Sequence, residues 1–296
     1  MTPVEEHLAT RRSAGLFDFS FMGLYEFQGR SELQALQTRN LDALAPGQIA
    51  YTLLLKNDGA VLIDATVWRL PGRRFWLFTG RRSAYGGRDR SGEFAILALQ
   101  GPSSGHILAR VIGKDAVLAL KYFHFLEKEN LIVARLGFSG ELGYELLVPA
   151  ADMLGWGHKL FEAGGNEGLR DCSWAAADSL RIEAGYVLFD REVDGRANPR
   201  ELGLERLVHD QKINFEMKKK LAGLEILDEA GSADLPVAQV TSECFSPTLG
   251  KTLALGFVNP QTSSSGAVRL ADGRIARVAT LPFYDPERRR PRAAPL

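Results

Sequence analysis

The chain is 296 residues long, with 45% hydrophobic and 24% charged residues. A chain of this size and composition can bury a large apolar core, in one large domain or two to three smaller ones. The 36 basic residues balance the 36 acidic residues, so the overall charge argues against nucleic acid or an anionic membrane as a partner.

Helices and strands alternate in the first two thirds of the chain. Apolar periodicity and turn residues predict helices over residues 3–12, 30–36, 103–112, 151–163 and 178–186. They predict strands over residues 16–27, 49–55, 60–70, 122–126, 131–136 and 144–148, with a further strand starting at Phe75.

The pattern of predicted elements changes after Gly223. Short strands over residues 224–227, 238–241, 252–258, 267–270 and 274–281 alternate with glycine, proline and serine turns. That pattern is typical of a small antiparallel barrel or sandwich, and it predicts a domain boundary near residue 220. The sequence therefore predicts an α+β fold with mixed antiparallel sheets and helices, followed by a small β-domain.

Asp64 lies within one of the predicted strands. The turn residues Asn57, Asp58 and Gly59 tolerate positive φ and predict a hairpin between the strands over residues 49–55 and 60–70. In such a meander, an acid inside an apolar run either faces solvent or points into a pocket where its charge has a functional role. The residues themselves leave both alternatives open.

The segment Gly137-Phe-Ser-Gly-Glu-Leu-Gly-Tyr-Glu145 contains three glycines in seven residues. These glycines allow a tight turn and close approach of the backbone to a ligand. The G-x-x-G-x-x-G spacing and the following strand do not match a dinucleotide fingerprint. A carboxylate such as Glu145 at the edge of the loop can accept two adjacent N–H donors from a flat heterocycle.

These segments belong to a longer series whose order and spacing span nearly the whole chain. The series comprises residues 12–20, the Asp64 meander, and residues 99–102, 135–145, 178–185, 240–242, 246–250 and 281–285. Together they resemble the glycine-cleavage T-protein (aminomethyltransferase) superfamily of folate-dependent one-carbon transferases.

The resemblance implies a fold, a reaction and a cofactor. It implies a T-protein-like folate-binding region over residues 1–220, made of two intertwined subdomains, and a C-terminal β-barrel over residues 221–296. The implied activity is a tetrahydrofolate-dependent aminomethyl or methyl transfer, or a demethylation, with an amine-type or related methyl donor. Tetrahydrofolate is the expected cofactor.

The resemblance also implies roles for individual residues. Asp64 is the expected catalytic residue, close to the folate nitrogen that accepts the carbon unit, and Glu145 is expected to anchor the pterin. The remaining expected folate-binding residues are Trp76, Phe138, Tyr144 and Arg181. For Trp76 a place in the core, and for Arg181 an ion pair with a neighbouring strand, are equally compatible with the sequence.

The chain departs from the glycine-cleavage pattern at Ile63, Gly80, Phe138 and Ala177. Thr79-Gly80 and Ala177-Asp-Ser-Leu-Arg181 look more like the folate-binding region of sarcosine and dimethylglycine oxidases and dehydrogenases. The departures keep two alternatives open. One is a non-catalytic folate-binding protein, and the other is a divergent relative that uses the cleft for another ligand or acts as a partner subunit.

Partners and location follow from what the sequence contains. Without a dinucleotide fingerprint, the carbon unit is expected to be activated by a separate flavoprotein or lipoyl protein and to arrive on a small-molecule donor. The five histidines and two cysteines lack metal-binding spacing, so no metal is expected. No apolar run is long enough to cross a bilayer and no signal peptide is visible, so a cytoplasmic location without membrane contact is expected. The basic segment 288–292 is predicted to be a solvated terminus.

Overall fold

The computed structural model describes residues 1–209, 215–230, 234–264 and 266–296. The helices are α1 (Pro3–Arg12), α2 (Ser31–Leu36), α3 (Ser104–Ile112), α4 (Lys114–Ala119), α5 (Met153–Gly164) and α6 (Trp174–Glu183). The strands are β1 (Gly15–Asp18), β2 (Gly23–Gln28), β3 (Ile49–Leu55), β4 (Val61–Arg69), β5 (Arg74–Thr79), β6 (Arg88–Asp89), β7 (Phe94–Gln100), β8 (Phe125–Lys128), β9 (Leu131–Ala134), β10 (Gly143–Pro149), β11 (Arg170–Asp171), β12 (Lys220–Ala230), β13 (Gln239–Ser246), β14 (Lys251–Val258), β15 (Ala267–Arg269) and β16 (Arg274–Ala279).

These strands form three sheets. The first sheet has the strand order β11-β1-β7-β10-β9-β8, the second β3-β4-β5-β2-β6, and the third β13-β14-β12-β16-β15. All pairings are antiparallel except the short one between β1 and β11. The predicted α+β fold with mixed helices and antiparallel sheets is confirmed.

The hairpin that carries Asp64 forms as the sequence predicts. β3 pairs with β4 in register from Ile49 opposite Trp68 to Leu53 opposite Asp64, and Gly59 supplies the positive φ of 83° that the turn requires. Helix α6 starts four residues earlier than predicted, because the Ser173 hydroxyl accepts a hydrogen bond from the Ala176 amide and caps the helix.

The first and second sheets share one apolar core, which we call the central core. It contains side chains from one face of each sheet, among them Phe17, Trp68, Phe78 and Leu147, and also residues of α6 such as Leu180. The opposite face of the first sheet packs on α3 and α5 through a separate core. The first and second sheets therefore pack face to face across the central core.

Helix α6 contains two buried charged residues with different partners. Arg181 is fully buried and donates to Glu192 at 2.8 Å and to the Ser242 hydroxyl of β13 at 2.6 Å. Glu183 is also fully buried and accepts from Arg11 of α1 at 2.7 Å. Because buried charges are stable only when paired and hydrogen-bonded, these contacts fix α6 against α1 and the third sheet.

The C-terminal segment is docked on the first sheet, so the prediction of a solvated terminus is wrong. Pro291 is buried, and Arg290 donates to Glu141 at 3.3 Å. The carbonyl oxygen of Ala293 accepts from the buried Arg135, and Leu296 packs against the core beneath α3 and α5. Local sequence did not indicate this docking because the partners are distant in the chain: Glu141 lies 149 residues from Arg290, and Arg135 lies 158 residues from Ala293.

The predicted boundary near residue 220 coincides with the start of a strand. β12, the first strand of the third sheet, begins at Lys220. After β16, however, the chain returns to the first sheet, where Tyr284 donates to Glu141 at 2.8 Å. The division at residue 220 therefore describes where the third sheet starts, and the last residues of the chain pack with the N-terminal region.

None of the helices within the described ranges combines the length and the apolar character needed to span a membrane.

Arg11→Met should strongly destabilise the fold. Among the residues that the structure describes, Arg11 is the only one whose guanidinium contacts Glu183. Its removal leaves that buried carboxylate with His7 and the Ser246 hydroxyl as its described side-chain partners. Breaking a buried pair from one side typically costs about 3–5 kcal/mol. Urea unfolding measures this change, and Arg12→Met on the exposed face of the same helix is the matched control. A loss below about 1 kcal/mol for Arg11→Met would contradict the role of this pair.

Candidate active site

Asp64 and Glu145 both lie on the central-core side of their sheets. In β4, Ile63, Ala65 and Val67 point to the opposite side, into a different core, so Asp64 shares its face with Trp68. In β10, Glu145 shares its face with Leu147, which belongs to the central core. The two acids that the sequence singled out therefore point toward the same interior space from different sheets.

Asp64 is half-buried and has a single side-chain hydrogen-bond partner among the described residues. The Tyr51 hydroxyl donates to Asp64 Oδ2 at 2.9 Å. Burial raises the pKa of Asp64 to about 6, against the effect of the Tyr51 hydrogen bond, and the nearby negative charge of Glu192 adds to the increase. Burial and the Asp64 charge also raise the Tyr51 pKa well above its usual value. A carboxyl group that titrates near neutrality can take part in proton transfer.

Glu145 is 5% exposed, and its carboxyl group has no hydrogen bond or ion pair with any described residue. Its cross-strand neighbours are Ala98 on β7 and Ala134 on β9, whose small side chains leave space beside the carboxyl group. Burial raises the pKa of Glu145 to about 7. Because a buried carboxylate without a partner is costly, Glu145 is a strong candidate for binding a ligand that carries N–H donors.

Phe138 stacks with two further aromatic rings. The Phe138 ring lies nearly parallel to Trp174 at 6.4 Å between centroids and to Tyr186 at 6.1 Å, with interplanar angles of 16° and 26°. Phe138 also packs against the central core. Next to the stack is a cavity of about 290 Å³, lined by Phe21, Trp174, Asp178, Leu188, Phe189, Asp190 and Arg191. This arrangement offers flat apolar surfaces for an aromatic ligand.

Gly80 is required by the packing at the edge of this cavity. It follows Thr79, which pairs with Ala65 next to Asp64. A Cβ atom at Gly80 would lie 2.3 Å from Cδ1 of Phe189, so any larger residue would displace that ring. The Phe189 ring thus occupies the space that a side chain at position 80 would need.

Two of the expected folate-binding residues are packed in apolar cores. Trp76 is 3% exposed, pairs across the sheet with Trp68, and donates from Nε1 to Glu26 at 3.4 Å. Trp76 is a core residue, and its cross-strand partner Trp68 is four residues from Asp64 on β4. Tyr144 is fully buried on the opposite face of β10 from Glu145, because adjacent side chains in a strand alternate. The folate contacts expected of Trp76 and Tyr144 stay predictions, with Trp76 in the central core and Tyr144 in the core beneath α3 and α5.

Arg181 makes ion pairs within the protein instead of facing the site. Besides Glu192 and Ser242, it donates to Asp178 at 2.7 Å and to the Tyr186 carbonyl oxygen at 3.1 Å. The predicted alternative was an ion pair with a neighbouring strand, but the ion pairs observed are with Asp178 of α6 and with Glu192, and the contact with strand β13 is the hydrogen bond to Ser242. Arg181 holds Glu192 and the backbone of Tyr186, so it supports the site indirectly.

The site also includes three residues that the sequence did not indicate, namely Tyr51, Tyr186 and Glu192. Tyr51 could have been found, because the hairpin turn sets a register that places it opposite Thr66, two residues from Asp64 on the same face. Tyr186 and Glu192 follow α6 in an irregular segment, and no periodicity in the sequence indicates where their side chains point. In the part of the chain that the structure describes, no cluster of His, Cys, Asp and Glu is arranged to hold a metal ion.

Comparison with known proteins places the chain among proteins of one family. Residues 2–212 match the model of the GCVT N-terminal domain, and residues 212–285 match the glycine cleavage T-protein C-terminal barrel domain. An aminomethyltransferase of Symbiobacterium thermophilum is 33% identical over 97% of this chain and 90% of its own length. An aminomethyltransferase of Bacillus subtilis is 31% identical over 95% of this chain and 90% of its own length.

A solved structure shows the same architecture. The glycine cleavage system aminomethyltransferase T from Bartonella henselae superimposes with a TM-score of 0.81 at 26% identity, over 96% of this chain and 90% of that protein. The match to the C-terminal barrel domain also confirms the predicted β-barrel. The chain therefore belongs to the glycine cleavage T-protein family, with both of its domains.

Proposed function

We propose that this protein transfers an aminomethyl-type one-carbon unit to tetrahydrofolate, with Asp64 as the catalytic residue and Glu145 as the anchor of the pterin. Membership of the aminomethyltransferase family makes the chain a folate-dependent enzyme. The observation that carries the residue assignment is the buried carboxyl of Glu145, which has no partner among the described residues and faces the same interior as Asp64.

The residues present fit tetrahydrofolate. A reduced pterin presents adjacent N–H donors, and a carboxylate such as Glu145 can accept two of them at once. The parallel rings of Phe138, Trp174 and Tyr186 provide surfaces against which a flat conjugated group can pack. When bound, tetrahydrofolate supplies the amine nitrogen that accepts the carbon unit.

Asp64 and Tyr51 form the acid–base pair of the proposed site. With a pKa of about 6, Asp64 is mostly ionised at neutral pH and can stabilise positive charge that develops beside it. The hydroxyl of Tyr51 holds Oδ2 of the carboxylate in one orientation. Since the carboxyl is partly withdrawn from water, its charge acts more strongly than it would in bulk solvent. The remaining task of the enzyme is to hold donor and acceptor within reach of each other.

We propose as donor an aminomethyl group carried by a partner lipoyl protein, because the structural relative is named for the glycine cleavage system. A second donor class is a methylated amine processed with a flavoprotein partner. It is favoured by Gly80 and Ala177, the positions where the sequence resembles the sarcosine and dimethylglycine enzymes. Parallel assays with each donor, following methylene-tetrahydrofolate formation, decide between the two classes. Folate binding without turnover on either donor would indicate a non-catalytic folate-binding protein.

Asp64→Asn should lower kcat by about two to three powers of ten while leaving folate affinity nearly unchanged. Loss of one preorganised charge in a site of this kind costs roughly 2.7–4 kcal/mol of transition-state stabilisation. Turnover assays together with calorimetric titration separate the two effects. Asp58→Asn, in the exposed turn of the same hairpin, is the control. Full activity of Asp64→Asn would remove Asp64 from the mechanism.

Tyr51→Phe should shift the acidic limb of the pH–activity profile upward. The ionised form of Asp64 is the active one, so activity falls as the pH drops through the pKa of about 6. The hydroxyl of Tyr51 stabilises the carboxylate, and its removal should raise that pKa further, by about 1 unit. The profile of kcat/KM against pH measures the shift, with Tyr85→Phe as control because Tyr85 packs in the core on the other side of the second sheet. A downward shift, or none, would show that Tyr51 does not tune Asp64.

Glu145→Gln should weaken tetrahydrofolate binding by about 10- to 100-fold, since hydrogen bonds to a charged acceptor are worth about 1.5–3 kcal/mol. The melting temperature should not fall, because Glu145 has no partner among the described residues that the substitution could break. Anaerobic calorimetry and thermal unfolding give both readouts, and Glu127→Gln on the exposed part of the same sheet is the control. Unchanged affinity would reassign the pterin anchor to another residue.

A further inference from the structure

Two large aromatic side chains are exposed at the rim of the cavity beside the site. Phe21 and Trp174 each keep 41% of their surface exposed, although their neighbour Phe19 belongs to the central core. Phe189 forms a third wall of the cavity, where it occupies the space beside Gly80. Exposed apolar side chains that cluster around a cavity mark a place where a ligand or a partner binds.

The three rings that line the cavity lie at large angles to one another. The planes of Phe21 and Trp174 meet at 85°, with 5.1 Å between the ring centroids, and those of Phe21 and Phe189 meet at 46°, with 6.5 Å between the centroids. Such rings cannot all stack on one flat ligand, unlike the nearly parallel rings of Phe138 and Trp174. They surround a compact group from several directions, and a cation placed there is attracted by the quadrupole of each ring that it faces.

Two carboxylates line the same cavity, and each uses only one of its oxygens in contacts with the described residues. Oδ1 of Asp178 accepts from Arg181 at 2.7 Å, and Oδ1 of Asp190 accepts from Arg81 at 2.7 Å. Within the described ranges, no hydrogen bond reaches Oδ2 of either acid. The two arginines therefore hold the carboxylates in position and leave one oxygen of each for a positively charged ligand.

The cavity also has a cation that makes no ion pair. The guanidinium of Arg191 lines the cavity and has no hydrogen-bonding or acidic partner in the part of the chain that the structure describes. The preceding residue, Asp190, has a φ of 59°, in the left-handed region that residues other than glycine enter at a cost in free energy. The Arg191 amide donates to the Leu188 carbonyl oxygen at 3.3 Å and closes the turn. Strained residues of this kind cluster at ligand-binding sites, and this turn presents a carboxylate and a guanidinium to one cavity.

The cavity adjoins the proposed site of transfer. Phe189 packs beside Gly80, the residue that follows Thr79 at the end of β5. Thr79 pairs across the sheet with Ala65, the neighbour of Asp64 on β4. The cavity therefore lies close to the strand that carries the proposed catalytic residue, where a donor has to be held for transfer.

We propose that this cavity is a donor subsite that binds a zwitterionic amine whose nitrogen carries methyl groups. The inference rests on the proposed function, because it specifies the second donor class considered there. A methylated ammonium fits the three rings, since its charge is spread over apolar methyl groups. Asp178 and Asp190 add to the attraction, and the fork of Arg191 matches a carboxylate at the other end of the donor. A simple cation would leave Arg191 without a partner, so the lining favours a donor that carries both charges.

The test titrates the full-length protein with small probes that differ in one group. Trimethylglycine carries both charges, 3,3-dimethylbutanoate has the same shape without the positive charge, and choline lacks the carboxylate. Anaerobic calorimetry measures each affinity with and without saturating tetrahydrofolate. The proteins are the unmodified chain, the ring variant Phe21→Leu/Phe189→Leu, Arg191→Gln, and the controls Phe245→Leu and Arg196→Gln. Both control residues are exposed and lie outside the cavity.

The unmodified protein should bind trimethylglycine about 10-fold more tightly than 3,3-dimethylbutanoate, because only trimethylglycine carries the charge that the rings and the acids attract. The ring variant should lose this preference. Arg191→Gln should bind trimethylglycine about 10-fold more weakly and choline as before. Both controls should behave like the unmodified protein. Tetrahydrofolate should bind equally to all the proteins, which shows that the variants are folded.

Three results would overturn the inference while leaving the proposed function intact. The first is equal affinity of the unmodified protein for trimethylglycine and 3,3-dimethylbutanoate. The second is no binding of trimethylglycine, either with or without tetrahydrofolate. The third is a ring variant that keeps the preference for trimethylglycine. If the unmodified protein did not bind tetrahydrofolate, the proposed function itself would fail, and the donor subsite with it.

Discussion

The arrangement of the molecule depends on two charges buried in one helix. Arg181 and Glu183 are both fully buried on α6, two residues apart, so they point in different directions and each needs its own partner. Arg181 pairs with Glu192 and donates to Ser242 of the third sheet, and Glu183 pairs with Arg11 of α1. Since an unpaired buried charge costs several kcal/mol, these two requirements fix the helix between the N-terminal sheets and the barrel.

The same network shapes the electrostatics of the site. Glu192 is held by Arg181 and by the hydroxyls of Thr241 and Ser242, and its charge contributes to the raised pKa of Asp64. The residues that follow α6 also bring Tyr186 beside Phe138. The barrel therefore influences the proposed chemistry through Thr241 and Ser242, whose hydroxyls hold Glu192.

Three buried acids in this protein show how partners separate structural from functional carboxylates. For Glu183, burial opposes ionisation, but the hydrogen bond from His7 and the charge of Arg11 outweigh it, and the pKa is lowered to about 2. Asp64 has only Tyr51 and a pKa of about 6, and Glu145 has no described partner and a pKa of about 7. Burial is common to all three, so the missing cation is what marks Asp64 and Glu145 as candidates for binding and catalysis.

The sequence by itself determined most of the strands but not β6, β7 or β11, and it determined the hairpin that presents Asp64, the glycine-rich loop before Glu145, and the resemblance to the family. These features are local, because turn residues and apolar alternation are set by neighbours in the chain. The rule that adjacent strand residues face opposite ways would also have separated Tyr144 from Glu145. Only the tertiary structure decided that Arg181 pairs internally, that Trp76 lies in the core, and that the basic C-terminal segment docks on the first sheet. Each of these outcomes depends on a partner distant in sequence, and no local pattern specifies which buried group a long side chain will meet.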